Sequence, residues 1–309
     1  MTRVAVLMGG WSPEREVSLV SGKACAEGLR EGGHEVVEYD VKRDLRALVD
    51  FLRPAAGGGP DVVFNALHGR YGEDGCIQGV LEIMRVPYTH SGVLASAIAM
   101  DKPLARHIFA SLGLRVAEGR VIERRSLASG DPMARPYVVK PIDQGSSIGV
   151  HIVRDGDNLA AVEAAEAAFG ERVLIEKFVP GHELTVAVMG DRPIAVTELR
   201  PRTRFYDYEA KYTDGITEHL VPAPIPEDVY ELARQWALAA HQELGCNGLS
   251  RADFRWDDSK PGTSGLVILE LNTQPGMTPL SLAPEQARWA GISWPQLMTW
   301  MIENARHPS

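Results

Sequence analysis

Strand-like and helix-like segments alternate over the first third of the chain, and this order limits the fold most. Branched apolar runs at 3–10, 34–41 and 61–67 are typical of buried strands. Between the first two, residues 12–33 have a helical pattern, with Ser12 as the expected N-cap and Gly32-Gly33 as the stop. Strands that alternate with helices predict a parallel, doubly wound sheet over roughly the first 90 residues.

The rest of the 309 residues does not continue this alternation of strands and helices, so we expect two or three domains. Residues 91–114 are helical in character, with a break near Asp101–Pro103. β-rich runs then dominate, and 183–190 and 192–200 suggest an antiparallel sheet. Residues 201–222 show neither period and are expected to form a long functional loop. The fold class is therefore α/β followed by α+β, and the remaining predicted elements are helices at 157–169, 226–245 and 284–306 and strands at 172–179, 250–256 and 265–272.

Composition excludes several classes of protein. A net charge of −9 argues against nucleic-acid binding through a broad basic surface. No stretch approaches the ~20 apolar residues of a membrane span, and the N-terminal apolar run is too short for a signal peptide. The three cysteines are far apart, as buried cysteines in a reducing compartment would be. We therefore expect a cytoplasmic protein with no membrane or nucleic-acid partner.

The stretch "LVILELNTQPG" at 266–276 places polar residues at the end of an apolar strand. Alternation puts Glu270 and Asn272 on one face, with Leu269 and Leu271 opposite. Asp253 lies in the preceding strand-like run, and it would join them if the two strands are antiparallel neighbours. Hard oxygen donors of this kind suit Mg²⁺ completed by phosphates. The alternative is a solvated sheet face with an Arg–carboxylate pair.

Two further stretches have the composition of nucleotide-binding segments. In "KPIDQGSSIGV", Lys140 precedes a glycine-serine loop that could cover a triphosphate, although an ordinary hairpin turn remains an alternative. In "LIEKFVPGHE", backbone groups could bind adenine and a carboxylate could bind ribose, although such a string is more often an interdomain crossover.

Glu14 and His68 each follow a predicted parallel strand. They would lie at the carboxyl edge of the sheet, where open α/β folds bind ligands. A carboxylate favoured by a helix dipole and a hydrogen-bonded histidine are the structural alternatives.

In combination these motifs are far more specific than any of them alone. The chain resembles the D-alanine–D-alanine ligases of the ATP-grasp superfamily nearly end to end, through eight motifs in order: "GGWSPEREVS", "LHGRYGEDG", "MDK", "VVKP…GSSIGV", "LIEKFV.G.E", "FYDYEAKY", "SRADF" and "LELNTQPGMT". The resemblance implies ATP-dependent joining of two D-alanines through an acyl phosphate, for peptidoglycan synthesis. It also implies an N-terminal α/β domain (1–95), a central domain (96–182) and a C-terminal domain (183–309), with ATP held between the last two, and a homodimer.

The resemblance assigns roles to residues that match its motifs. It implies ATP contacts by Lys102, Lys140, Glu176, Phe178, Val179 and Glu183, and two Mg²⁺ or Mn²⁺ ions on Asp253, Glu270 and Asn272. The first D-alanine would meet Glu14 and His68, and the second would meet Lys211 and Ser281. Arg251 and the Gly276 amide resemble the donors to the developing oxyanion. Two loops would act as lids, the glycine-serine loop and the loop that bears Lys211. Glu14, Ser146 and Tyr212 would form a hydrogen-bonded group that ties the N-terminal domain to both lids.

Two positions depart from the family pattern: Gln274 where serine is common, and Ser250 where glycine is common. Neither is expected to touch a ligand position. A ligase that uses D-lactate or D-serine is the nearest alternative, although the Lys211-Tyr212 pair favours an amine nucleophile. A catalytically silent nucleotide-binding regulator is the alternative from another class.

Overall fold

A computed structural model describes residues 1–53, 58–145, 149–159, 170–201, 217–278 and 281–307. Its strands are β1 (Arg3–Gly9), β2 (Glu35–Val41), β3 (Val62–Asn65), β4 (Gly119–Glu123), β5 (Tyr137–Pro141), β6 (His151–Val153), β7 (Arg172–Lys177), β8 (His182–Met189), β9 (Arg192–Pro201), β10 (Thr217–Leu220), β11 (Leu249–Trp256) and β12 (Leu266–Asn272). Its α-helices are α1 (Arg15–Glu31), α2 (Leu45–Leu52), α3 (Cys76–Met84), α4 (Val93–Met100), α5 (Lys102–Ser111), α6 (Glu227–Glu243), α7 (Leu282–Trp289) and α8 (Trp294–Glu303).

The N-terminal sheet is parallel, in the order β2-β1-β3, as the sequence predicts. Its two faces are both buried: Val4 and Val6 pack with α1 and α8, whereas Ala5 and Leu7 pack with α2 and α3. This arrangement confirms the doubly wound expectation. The predicted N-cap is wrong, because α1 begins after Glu14 and the Ser12 hydroxyl instead donates to the carbonyl of His68, at 2.7 Å.

Two antiparallel sheets follow. The middle sheet has the order β4-β7-β5-β6, and the C-terminal sheet has the order β10-β9-β8-β11-β12. Helix α6 packs on β8 and β9 through small residues, including Ala233 and Ala237, which let the helix lie close to the sheet. Strand β10 pairs with β9 inside the stretch predicted as one long loop, so that prediction is wrong at its C-terminal end. The predicted helix at 157–169 falls mostly outside the described residues.

The end of the chain returns to its beginning. Helix α8 packs against α1, and Tyr88 forms a backbone bridge with Arg306. One apolar cluster therefore contains β1 and α1 residues together with Met277 and Leu297 from the C-terminal region. This shared core fixes the loops of the parallel sheet against the end of β12.

No α-helix in the described part of the chain is long and apolar enough to cross a membrane.

Candidate active site

The largest group of predicted site residues lines one cavity between the middle and C-terminal sheets. All the predicted ATP contacts lie there: Lys102, Lys140, Glu176, Phe178, Val179 and Glu183. Arg251, Asp253 and Glu270 line the same cavity.

Lys102 reaches the cavity from the first position of α5. Asp101 caps this helix by accepting a hydrogen bond from the Leu104 amide, at 2.9 Å. The Lys102 ammonium donates to the carbonyl of Gln144 and lies 3.9 Å from the Glu270 carboxylate. A cation is disfavoured at a helix N-terminus unless an anion offsets it. The position therefore suits a residue whose ligand is a phosphate.

Lys140 and Glu176 form a buried pair at the inner end of the cavity. Lys140 Nζ lies 2.5 Å from Glu176 Oε2, and the other oxygen of Glu176 contacts Arg106. Burial lowers the pKa of Lys140 to about 8, an effect that the negative charge of Glu270 opposes and the positive charges of Lys102 and Arg106 reinforce. A partly desolvated ammonium of this kind interacts strongly with an incoming phosphate.

The cavity also has an apolar slot that could receive a flat ring. Val138, Ile152, Phe178, Leu199 and Leu269 contribute to its lining. Glu176 and the crossover between β7 and β8 border the slot, so polar groups and apolar surface meet there, as in typical ligand pockets.

Arg255 on β11 holds the crossover in place. Its guanidinium donates to the carbonyls of Val179 (3.1 Å) and Gly181 (2.9 Å) and to Glu183 Oε2 (3.1 Å), and it lies 5.6 Å from the centre of the Phe178 ring. Gly181 has a φ of +86°, and a Cβ there would lie 2.2 Å from the Trp256 carbonyl oxygen. Only glycine therefore permits this close approach of the crossover to β11.

The predicted metal residues lie on neighbouring antiparallel strands, as the sequence analysis expects. Asp253 is directly opposite Glu270 in the register of β11 and β12. A β-bulge follows this pair, because Phe254 lies opposite Ile268 and leaves Leu269 as the extra residue. The bulge breaks the alternation, so Leu269 lines the same cavity as Glu270, and its predicted position on the opposite face is wrong.

Asp253 is held firmly before any ligand binds. Arg251 makes two hydrogen bonds to its carboxylate, both 2.8 Å, and the Thr185 hydroxyl donates a third at 2.6 Å. The Arg–carboxylate pair weighed as an alternative is thus present, but it borders the cavity and its members are largely buried.

Asn272 continues the row of oxygen donors beyond Glu270, although it is not part of the cavity lining. Its side-chain oxygen accepts a hydrogen bond from the Gln274 amide, at 2.9 Å. Within the described residues no three His, Cys, Asp or Glu side chains form a metal-binding group. The proposed metal ligands are therefore two carboxylates, Asp253 and Glu270, and one side-chain amide oxygen, that of Asn272. Such a set fits Mg²⁺ or Mn²⁺ better than a softer metal.

Glu14 and His68 lie together at the carboxyl edge of the parallel sheet. Both are buried, at 3% and 6% exposure. Gly69 adopts a φ of +67°, and a Cβ there would lie 2.3 Å from Glu14 Oε2, so the two loops are in contact. His68 Nδ1 lies 2.8 Å from Glu73 Oε1, and its Nε2 lies 3.1 Å from the Ser21 hydroxyl.

The charge state of His68 follows from these neighbours. Burial alone lowers its pKa, but the hydrogen bond to Glu73 and the negative charges of Glu73 and Glu14 together raise the pKa above the ordinary value. A raised pKa favours the protonated imidazole, which is the form suited to binding a carboxylate.

Gly276 and Ser281 lie side by side after β12. A Cβ on Gly276 would lie 2.9 Å from the Ser281 hydroxyl oxygen, which accepts a hydrogen bond from the Thr278 amide at 2.9 Å. Gly145, the last described residue before the serine loop, lies near Glu14, since its Cβ position is 3.7 Å from Glu14 Oε2. Ser146, Lys211 and Tyr212 lie outside the described residues.

Several residues of the site do not follow from the motifs alone. Arg106, Arg255 and Glu73 each pair with a predicted site residue. In the sequence, however, they cannot be told apart from charged residues that form ion pairs at the surface. A signal was available for Arg255, because it is two positions after Asp253 and so shares its strand face.

The two departures from the family pattern have different outcomes. Ser250 bonds to the buried His241 at 2.7 Å, on the side of β11 away from the cavity, so its predicted distance from the ligand positions is consistent with the fold. Gln274 is not itself a proposed ligand, but its backbone amide donates to the side-chain oxygen of Asn272, so its influence on the proposed metal site would be indirect.

Comparisons with known proteins agree along the whole chain. The family described as D-ala D-ala ligase C-terminus matches residues 109–303, and that described as D-ala D-ala ligase N-terminus matches 44–91. A D-alanine–D-alanine ligase of Parvibaculum lavamentivorans is 56% identical over 304 residues, covering 98% of this chain and 97% of the relative. One of Gluconobacter oxydans is 56% identical over 305 residues, covering 98% and 99%.

Solved structures give the same result. The crystal structure of D-alanine–D-alanine ligase from Bacillus anthracis has a TM-score of 0.83 at 31% identity, covering 98% of this chain and 97% of that one. The same enzyme complexed with ATP has a TM-score of 0.81 at 31% identity, covering 98% and 96%. By sequence and by fold, the chain belongs to the D-alanine–D-alanine ligase family.

Proposed function

We propose that this protein joins two D-alanines into D-alanyl-D-alanine, converting ATP to ADP and phosphate, to supply peptidoglycan synthesis. The observation that carries the proposal is the single cavity in which Lys102 and Lys140 converge on the carboxylates of β11 and β12. Relatives named D-alanine–D-alanine ligase support the substrate, since they match from end to end at about 56% identity.

ATP occupies the cavity in this proposal. The apolar slot receives adenine, with Glu176 and the backbone of Phe178 and Val179 along its edge, and Glu183 binds the ribose. Lys102 and Lys140 bind the phosphates. The solved ATP complex of the Bacillus anthracis enzyme supports ATP as the nucleotide.

Two divalent cations, Mg²⁺ or Mn²⁺, belong to the same proposal. Asp253, Glu270 and Asn272 would hold them, with Glu270 between its two neighbours. Bound there, the ions would neutralise negative charge on the transferred phosphoryl group. Lys102 lies 3.9 Å from Glu270 and Arg251 pairs with Asp253, so each of these carboxylates also has a cationic neighbour.

Glu14 and His68 position the first D-alanine. The Glu14 carboxylate suits its ammonium group, and protonated His68 suits its carboxylate, which must become the electrophile. A carboxylate is a poor electrophile until phosphorylated, so the first step is formation of an acyl phosphate, with ADP leaving. Both side chains are buried and their loops are in contact with each other, which favours one orientation of the first D-alanine.

The second D-alanine then attacks the acyl phosphate through its free amine. Arg251 and the Gly276 amide donate to the oxyanion that forms, and removal of one such donor typically costs ~3 kcal/mol of transition-state stabilisation. Ser281 and Lys211 receive the second carboxylate. Ser146 and Tyr212 close lids with Glu14 and exclude water, which would otherwise hydrolyse the intermediate.

The same proposal includes the three-domain division at 95/96 and 182/183, a homodimer and a cytoplasmic location. Each sheet of the structure falls within one of the three segments, except that β8 begins one residue early, at His182, and α4 crosses the first boundary.

The direct test is incubation of the protein with ATP, Mg²⁺ and D-alanine, followed by detection of phosphate and dipeptide. We expect both products with D-alanine, and neither with L-alanine as the matched control. Preference for D-lactate or D-serine in competition would replace the substrate assignment. Nucleotide binding without turnover of any of these acceptors would instead identify a silent regulator.

A further inference from the structure

Gln274 connects two parts of the proposed site through a single buried side chain: the segment that follows β12 and the loop that carries His68. It is the second residue after β12, and it is 2% exposed. Its backbone amide donates to the Asn272 side-chain oxygen, at 2.9 Å. Two residues later comes Gly276, a proposed oxyanion donor. The backbone of Gln274 therefore belongs to the metal and oxyanion segment.

Its side chain belongs to the other half. The side-chain oxygen Oε1 of Gln274 accepts a hydrogen bond from Nδ2 of Asn65, at 2.8 Å. The side-chain nitrogen Nε2 of Gln274 donates to the backbone carbonyl of Leu67. Asn65 ends β3, and Leu67 immediately precedes His68. The side chain thus reaches from the C-terminal sheet to the loop that presents His68 to the first substrate.

Asn65 extends this connection around the loop. Its amide group also donates to the Gly72 carbonyl, at 3.0 Å, and its side-chain oxygen accepts from the Leu67 amide, at 3.2 Å. Asn65 is fully buried. A buried polar group that loses its partner keeps its desolvation cost, so the arrangement has one preferred geometry.

Only a long amide side chain fulfils this role. A serine at this position would carry its hydroxyl on Cβ, two bonds closer to the backbone than the Gln274 amide, and would offer no second polar atom to bond Asn65 and Leu67 together.

We propose that Gln274 is a positioning residue that sets the first D-alanine against the metal-binding strand. This inference rests on the proposed function. Phosphoryl transfer requires the first carboxylate to lie in line with the terminal phosphate, and a misplacement of about 1 Å costs on the order of 10²-fold in rate. Through Gln274, a displacement of the His68 loop becomes a displacement of Asn272 and Gly276.

The test replaces Gln274 with a side chain of similar length that cannot form these hydrogen bonds, Gln274→Met. Initial rates over a wide D-alanine range resolve the two substrate sites. We expect KM for the first D-alanine to rise and kcat to fall, each by about tenfold, with KM for ATP within about twofold of the wild type. Hydrogen exchange should accelerate at the amides of 66–72.

Gln286→Met is the matched control. Gln286 is also a fully buried amide, but its partners are the Ala187 amide, the Thr185 carbonyl and the Thr197 hydroxyl, all within the C-terminal sheet. This variant should lose a comparable amount of thermal stability while KM for the first D-alanine and exchange in 66–72 stay as in the wild type.

Gln274→Glu is the second variant, in case the methionine variant does not fold. It retains an acceptor for Asn65 and loses the donor to Leu67, so its KM for the first D-alanine should shift in the same direction. If the wild type turns over D-alanine and the folded Gln274 variants have the same KM for the first D-alanine as the wild type, the positioning role is overturned. Absence of wild-type turnover with D-alanine would instead overturn the proposed function.

Discussion

The protonation of Lys140 should limit the affinity for ATP at alkaline pH. Burial lowers the pKa of this ammonium group to about 8, despite the nearby charge of Glu270. In the proposed site the charged form of Lys140 binds a phosphate of ATP. As pH rises through this value, the free enzyme loses that charge and so binds ATP more weakly. We therefore expect kcat/KM for ATP to fall above pH 8, because this parameter reports the ionisation of the free enzyme.

The size of the effect follows from the fraction of protonated lysine. With a pKa of about 8, about a tenth of Lys140 is charged at pH 9 and about a hundredth at pH 10. A charge-assisted hydrogen bond contributes about 1.5–3 kcal/mol, which corresponds to a fall of about 10- to 100-fold before a plateau. Bound ATP stabilises the charged form, so kcat should decline only at higher pH.

Loss of folding does not produce the same profile. The unfolded chain retains the Lys140 proton up to the ordinary pKa of 10.5, whereas the folded protein releases it near 8. Between these values the unfolded state binds more protons, so this residue makes the free energy of unfolding rise with pH. Activity and stability should therefore diverge over this window.

The assay measures initial rates against ATP from pH 6.5 to 10, with saturating D-alanine and circular dichroism at each pH. In Lys140→Arg the alkaline decline should disappear, because arginine stays charged. The exposed Lys23→Arg provides the matched control and should behave as the wild type. A wild-type kcat/KM that is constant up to pH 10, or a decline that persists unchanged in Lys140→Arg, would refute the reasoning.

Three further substitutions test separate parts of the site. Gly69→Ala places a Cβ 2.3 Å from Glu14 Oε2 at a φ of +67°, so initial rates should show at least about a tenfold higher KM for the first D-alanine, and an unchanged KM would contradict the contact. Arg255→Leu removes three hydrogen bonds to the crossover and should raise KM for ATP about tenfold or more without changing KM for D-alanine. Ser250→Gly leaves buried His241 without its partner, so chemical denaturation should show a loss of about 1–3 kcal/mol, while both KM values stay as in the wild type.

Regular patterns made much of the fold predictable. The apolar runs of β1 to β3 and the intervening helix sufficed for the parallel sheet, because burial on both faces leaves few other arrangements. Alternation also placed Glu270 and Asn272 on one strand face, and the antiparallel pairing of β11 with β12 meets the condition under which Asp253 joins them. Alternation failed at Leu269, because an inserted residue shifts the face of a strand and nothing in the composition of "LVILELN" identifies a bulge.

Long-range polar contacts were beyond a single sequence. Gln274 and Asn65 are 209 positions apart, and tertiary packing, including that of α8 against α1 and β3, brings their strands together. Arg106 and Arg255 likewise acquire partners through tertiary structure. The ligand roles of Glu14 and His68 came from the family resemblance, since each residue alone has a common structural explanation.

Binding of a divalent cation by the β11 and β12 carboxylates is the central claim, and Mn²⁺ titration followed by electron paramagnetic resonance tests it most directly. The wild type and Glu270→Gln would be compared with a non-hydrolysable ATP analogue present, after circular dichroism has shown that both are folded. We predict that the wild type binds Mn²⁺ and that Glu270→Gln binds it at least about tenfold more weakly. In a separate assay with ATP and D-alanine, Glu270→Gln should form no detectable dipeptide. Equal Mn²⁺ affinity and near-normal turnover in Glu270→Gln would contradict the account.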